Sequence, residues 1–239
     1  MTQRPAVLID RDMIGGNGEL LSFDDATSTL VARPEKKDGS PHRGWFLFRI
    51  RNLEPGRTYT LKLIENTYGG VYVFRDASDG TWRHFADFHQ DSQTDFSFTF
   101  TPASAELEVA MMPPYFQAQL DQLIEETAGH ELLSITNLWT TEEGRDGKLF
   151  TIGNPAAEGS VWITARMHAF EAVSSWAAEG LIRWALSSDP DAQWLVKNRV
   201  LYVVPMVDVD AVQHGGTGKH RAPICFARVA SAGCRSGAR

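Results

Sequence analysis

The chain has 239 residues, 43% of them hydrophobic, and 23 basic residues against 30 acidic ones give a formal charge of −7. That composition excludes wholesale disorder, and the acidic balance argues against a nucleic-acid binder, which would present a basic face. Two cysteines, Cys225 and Cys234, can build neither a disulfide framework nor a four-thiolate zinc site. No apolar run reaches the ~18 residues of a membrane span, and Asp10 and Arg11 interrupt the only apolar stretch of the N-terminus, so no secretory leader is visible. The expectation is a cytoplasmic protein with no membrane segment, built as one large or two modest domains.

From the N-terminus the pattern is that of strands. Between Trp45 and Arg51, Trp45, Leu47 and Arg49 alternate with Phe46, Phe48 and Ile50. After a Glu-Pro-Gly turn within Asn52–Arg57, Tyr59, Leu61 and Leu63 alternate with Thr58, Thr60 and Lys62, which predicts a hairpin. Val71–Phe74, Phe96–Phe100 and Leu107–Ala110 continue the period of two, with Asp79-Gly80 and Thr101-Pro102 as turns. Strands at this spacing predict an all-β sandwich over residues 1–113. Its aromatics, Trp45, Phe74, Trp82 and Phe85, are expected in the core rather than along a ligand groove.

Pro113-Pro114 breaks the pattern, and Phe116, Leu120, Leu123 and Ile124 give Tyr115–Thr127 a helical period. A second domain, 114–239, is expected from there. Buried strands are predicted at Lys148–Ile152 and Val161–Ala165. A helix is predicted at about Ala172–Leu186, with Val173, Trp176, Ala177, Leu181, Trp184 and Ala185 on its packed face. Asp189-Pro190 should end that region, Ala192–Lys197 is a short helix, and Val200–Val204 is a β-branched strand. Strand, helix, strand implies a parallel pair inside an α/β, mixed or parallel, sheet.

Chemistry concentrates where the strand at 161–165 hands over to the helix. In an open α/β sheet, ligands gather outside the carboxyl ends of strands. There, His168 offers an imidazole nitrogen and Glu171 a carboxylate three residues on, donors that zinc accepts. A loop histidine beside a glutamate favoured by the helix dipole satisfies the same spacing. Gly215-Gly-Thr-Gly-Lys219 is not a phosphate loop, since Gln213 and His220 stand where that motif needs Gly and Ser or Thr. No Gly-x-Ser-x-Gly elbow occurs.

The segment Ala-Arg-Met-His-Ala-Phe-Glu-Ala-Val-Ser-Ser-Trp-Ala-Ala-Glu-Gly-Leu, Ala165–Leu181, resembles the zinc-binding segment of carboxypeptidase A-type zinc peptidases, above all their cytosolic carboxypeptidase branch. Val204-Pro-Met-Val-Asp-Val-Asp-Ala-Val212 is similar to that branch's V-P-M-x-N-P-D-G-V, and the likeness runs from about Trp45 to Pro223. The resemblance implies a metallocarboxypeptidase that removes the C-terminal residue of a peptide or protein with one zinc. His168 and Glu171 match the first two zinc ligands, and Arg166 a family arginine just upstream. Arg221 matches the guanidinium that polarises the scissile carbonyl. Arg228 matches the arginine of an Asn-Arg pair gripping the substrate's carboxylate, whose asparagine is Ala227 here.

The departures are Ala169 for the proline after the first ligand, and Asp208-Val209-Asp210-Ala211 for the N-P-D-G turn. No histidine follows His220 and no acid follows Asp210, so the family positions of the third ligand and the general-base glutamate have no candidate. His214 and His220 are the nearest substitutes for the ligand, both expected in an exposed polar loop. The catalytic domain is therefore expected to be incomplete, through a frame change or premature stop after about Pro223, or as a short variant with a disordered basic end. A chain with little turnover, or a non-catalytic binding module, is the alternative to an active enzyme.

Overall fold

A computed structural model describes residues 5–37 and 39–218. They form two compact units: residues up to Pro114 together with Val212–Gly218, and Tyr115–Ala211.

The first unit is β throughout its N-terminal part. Its strands are β1 (Leu8–Asp10), β2 (Glu19–Asp24), β3 (Thr29–Arg33), β4 (Leu47–Arg51), β5 (Tyr59–Leu63), β6 (Val73–Asp76), β7 (Trp82–His84), β8 (Asp87–Gln90), β9 (Phe96–Phe100) and β10 (Glu106–Ala110). They make two five-stranded sheets, ordered β1-β4-β10-β6-β7 and β2-β3-β5-β9-β8. Every pairing is antiparallel except β3 with β5. Alternation sets the faces: Tyr59, Leu61 and Leu63 are buried, as are Phe96, Phe98 and Phe100 on the neighbouring strand, with Leu61 opposite Phe98. Rings from both sheets meet: Phe98 lies 5.1 Å from Tyr72 and 4.7 Å from Phe85, and Phe85 lies 4.9 Å from Phe74. Trp45 is 1% exposed, so it is a core side chain. Trp82 sits under the Arg75 guanidinium at 4.9 Å.

The hairpin expected around Asn52–Arg57 does not form. β4 pairs with β1 and β10, and β5 pairs with β3 and β9, so the turn carries the chain from one sheet to the other. Trp45, Phe46, Leu47 and Phe48 are all at most 3% exposed, so both faces of this segment are covered, while the two hydrogen-bonding edges of β4 are taken by β1 and β10. The turn is secured by Leu53 N–H to Ala105 (3.0 Å) and Gly56 N–H to Pro102 (2.9 Å) instead of by a ladder between its own flanks.

Asp76, buried at the end of β6, ties two turns together. One carboxylate oxygen accepts the Ser78 N–H (2.9 Å), and the other accepts the Ala103 N–H (2.8 Å). Burial raises its pKa, but the hydrogen bonds from Ser78, Ala103 and Ser104 outweigh that and hold it at about 2, below the ordinary 3.8. A carboxyl depressed on folding stabilises above its unfolded pKa and loses that contribution as pH falls from about 4 towards 2. Asp76→Asn is expected to cost about 2 kcal/mol at pH 7 and to flatten the stability profile in that window. Urea unfolding at pH 7 and pH 2.5 checks it, and equal acid sensitivity in both proteins rejects the assignment.

The second unit runs α1 (Gln117–Thr127), β11 (Leu133–Thr140), β12 (Asp146–Gly153), β13 (Ser160–Thr164), α2 (Ala172–Ala185), α3 (Pro190–Asn198), β14 (Val200–Val204) and the start of α4 (Val209–His214), whose residues from Val212 on belong to the first unit. The sheet is mixed, ordered β11-β12-β14-β13, with β13 parallel to β14 and the other pairs antiparallel. Thus β13-α2-β14 is the expected strand-helix-strand crossover.

Three local expectations change. Among the described residues β13 is an edge strand, and its Val161 is 38% exposed where a buried strand was expected. Asp189-Pro190 opens α3 instead of ending a region: the Asp189 carboxylate accepts the N–H groups of Asp191 (2.9 Å) and Ala192 (3.2 Å), and proline is tolerated at a first helical position. Most tellingly, α2 buries Ala172, Ser175, Ala178, Ile182 and Ala185, leaving Val173 and Trp176 exposed at 46% and 39%. α2 packs on β12 and β14, and small side chains let it approach closely. The Trp176 ring goes edge-on to Tyr115 instead, at 4.8 Å.

Candidate metal centre

The residues Ala165–Glu171 leave the carboxyl end of β13, beside the carboxyl end of β14. Backbone bonds prolong the parallel ladder into the loop: Ala165 N–H to Val204 (2.9 Å), Val207 N–H to Ala165 (3.0 Å) and Asp208 N–H to Arg166 (3.1 Å). The site therefore stands on strand ends and keeps their rigidity.

Within the loop, His168 and Glu171 converge. His168 Nδ1 lies 2.9 Å from Glu171 Oε1, and the His168 backbone N–H donates to Oε2 at 3.1 Å. The side chains are 45% and 35% exposed, so both donors are open to solvent. Glu171 is also the N-cap of α2, where the helix dipole favours a carboxylate. Chemically, this is one imidazole nitrogen and one carboxylate within hydrogen-bond distance of each other.

Under the pair lies Arg166, 1% exposed and in the left-handed region at φ +57°. Its Nε donates to the Ala169 carbonyl (2.6 Å) and its Nη1 to the Tyr115 carbonyl (3.2 Å). Its backbone N–H donates to the Ser174 hydroxyl (2.8 Å), which donates onward to the Glu171 carbonyl (2.7 Å). Burial pushes the guanidinium pKa down to about 9, against the pull of the Glu171 and Asp208 charges, so it is still cationic at neutral pH. The sequence marks Arg166 only as a family match. Its burial and the Ser174 relay were not foreseen, and the only hint was a lone cation among small and apolar residues.

The other sequence candidates fall elsewhere. Arg221, Arg228, His220 and both cysteines lie outside the described residues. His214 is exposed, but it ends α4 and is not in a loop, and its carbonyl accepts the Lys37 ammonium at 2.9 Å. Asp210, on the altered N-P-D-G turn, is buried against Arg145 (2.7 Å) and Thr141 (3.0 Å), a partnership the sequence did not disclose. Among the described residues, no group of three or more His, Cys, Asp or Glu side chains is placed to hold a metal ion. No helix among them is long and apolar enough to cross a membrane.

Comparison with known proteins gives three concordant findings. Residues 116–224 match the profile of the zinc carboxypeptidase family. Cytosolic carboxypeptidase 2 of Danio rerio is 26% identical over 209 residues, covering 73% of this chain and 29% of the relative. Cytosolic carboxypeptidase 6 of Mus musculus is 29% identical over 228 residues, covering 84% of this chain and 42% of the relative. The fold matches a solved metallo-carboxypeptidase from Burkholderia cenocepacia with a TM-score of 0.78 at 22% identity, over 89% of this chain and 58% of that one. The chain thus spans less than half the length of these curated relatives.

Proposed function

Starting from residues 116–224 as a zinc carboxypeptidase segment homologous to the cytosolic carboxypeptidases, we propose that His168 and Glu171 are two ligands of a zinc ion. The activity we attach to that ion is hydrolysis of the C-terminal residue of a peptide or protein. One observation carries the reading: an imidazole nitrogen and a carboxylate 2.9 Å apart, half-exposed, at the carboxyl end of a sheet. Both donors suit zinc by type, and His168 and Glu171 would hold it. When bound, zinc lowers the pKa of a coordinated water and polarises the scissile carbonyl. In this reading the residues of the chain hold and orient the metal, and Arg221 and Arg228 engage the substrate's carbonyl and carboxylate. We further propose a cytoplasmic setting, on the names of the relatives, and that the two N-terminal sheets are the sandwich preceding the catalytic segment.

Catalytic zinc sites use three protein ligands. The pair alone predicts weak affinity and little turnover, and the second reading is a non-catalytic binding module. Calorimetric zinc titration of the chain and of His168→Ala separates them. Stoichiometric zinc binding lost in His168→Ala, with trimming of a peptide C-terminus seen by mass spectrometry, supports the enzyme. Zinc binding unchanged in His168→Ala defeats the ligand assignment, and His168-dependent binding without trimming supports the module.

A further inference from the structure

We propose that Arg166 is a positioning residue: its buried guanidinium fixes the backbone of the loop in which His168 and Glu171 meet. The proposal rests on the metal-ligand reading of that pair for its functional meaning and on geometry for everything else.

A guanidinium that is 1% exposed is costly to bury unless hydrogen-bonded, which makes its partners informative. They include two main-chain carbonyls, Ala169 within the loop and Tyr115 at the approach to α1. One fork thus ties the residue between the two proposed ligands to a segment about fifty positions earlier in the chain. Ala169 is itself buried and has no ring to restrict its own backbone, so the grip on its carbonyl supplies the restraint. A lysine could not do this, since a point charge cannot span both acceptors in a fixed plane.

The main chain of Arg166 makes the second grip. A non-glycine residue at φ +57° carries a cost of about 1–3 kcal/mol and persists only where its surroundings hold it. Here its N–H is held by Ser174, which also binds the Glu171 carbonyl, and its C=O is held by the Asp208 N–H. The side chain restrains position 169 and the relay restrains position 171. The His168 N–H to Glu171 bond closes between them. Removing either grip should loosen that bond while leaving the β12–β14 ladder intact.

The test uses the full chain as Arg166→Met, Arg166→Lys and Ser174→Ala, with amide hydrogen exchange measured without metal and zinc titrated separately. Arg166→Met is expected to speed exchange at His168 and Glu171 about 10-fold or more relative to Val203 in β14, and to weaken zinc about 10-fold, the usual effect of losing a group that orients a ligand. Arg166→Lys should behave like Arg166→Met, and Ser174→Ala should reproduce the faster exchange at both amides. Exchange at His168 and Glu171 that rises only in step with Val203, or full rescue by lysine, overturns the proposal. If Arg166→Met does not fold, Ser174→Ala decides alone, and unchanged local exchange there overturns it. A wild-type chain that binds no zinc, yet shows the local loosening, sinks the ligand reading and leaves Arg166 as the positioning residue.

Discussion

Phe98→Ala is expected to destabilise the chain by about 3–5 kcal/mol, the largest effect of any substitution considered. Phe98 is 1% exposed in the middle of β9, opposite Leu61 on β5. Its ring packs against Tyr72, just before β6, Phe85, just after β7, and Phe88 on the neighbouring β8, with ring centres 5.1, 4.7 and 5.7 Å away. Truncation forfeits the transfer energy of a phenyl ring and leaves a void lined by other rings. Those rings are fixed by their own strands and cannot collapse inward. Urea unfolding followed by near-ultraviolet circular dichroism measures the loss. A cost under about 1 kcal/mol would falsify the claim that this ring is the centre of the aromatic cluster.

Gly153→Ala is expected to cost about 2–4 kcal/mol, from two sources that add. Gly153 ends β12 at φ +99°, a backbone conformation that L side chains rarely adopt. A Cβ there would also stand 2.6 Å from the Val196 carbonyl oxygen and 2.7 Å from that of Arg199, both main-chain atoms that cannot swing aside. Gly80 is the control. It has a similar left-handed backbone, φ +67°, but a Cβ would meet nothing within 4 Å, so Gly80→Ala should cost only about 1 kcal/mol. Equal melting shifts for the two variants would mean that the approach of α3's C-terminal end to Gly153 carries no energetic weight.

Legibility from sequence followed how strongly one face of an element is buried. β5, β9 and β14 were readable to the residue, because Tyr59, Leu61 and Leu63, or Phe96, Phe98 and Phe100, bury on alternate positions, and Val200–Val204 is nearly all core. β2 was not singled out, since its six residues are exposed or intermediate, and β11, largely exposed on its sheet edge, gave no pattern either. Strand pairing was beyond reach: a turn of Glu-Pro-Gly looks the same whether it closes a ladder or crosses between sheets. The packed face of α2 was misread for a related reason. Hydrophobicity selects Val173 and Trp176, whereas close approach to a sheet selects alanine and serine. In the candidate site, donor type and spacing left His168 and Glu171 open between a ligand pair and a helix-terminal pair, and the resemblance of Ala165–Leu181 to a zinc-binding segment singled them out. Arg166 and Ser174 bond main-chain carbonyls and amides, which carry no residue identity, so beyond the family match at Arg166 no side-chain pattern announced their contacts.

The first unit is not contiguous in the chain. The Asn17 side-chain amide donates to the Gly215 carbonyl (2.8 Å), the Gly15 N–H to Gln213 (3.0 Å), and the Gly44 and Trp45 N–H groups to the Thr217 hydroxyl (3.2 and 3.1 Å). Those donors are buried, and their acceptors leave the ribosome roughly two hundred residues later. During synthesis the β unit therefore waits, with the Gly44 and Trp45 amides lacking Thr217 and the Asn17 side chain held by Glu35 but not yet by Gly215, until the intervening α/β unit has been made. Contacts of such sequence separation slow folding. A fragment stopping at Pro114 should consequently refold incompletely, and adding a peptide spanning 209–218 should raise its protection from protease.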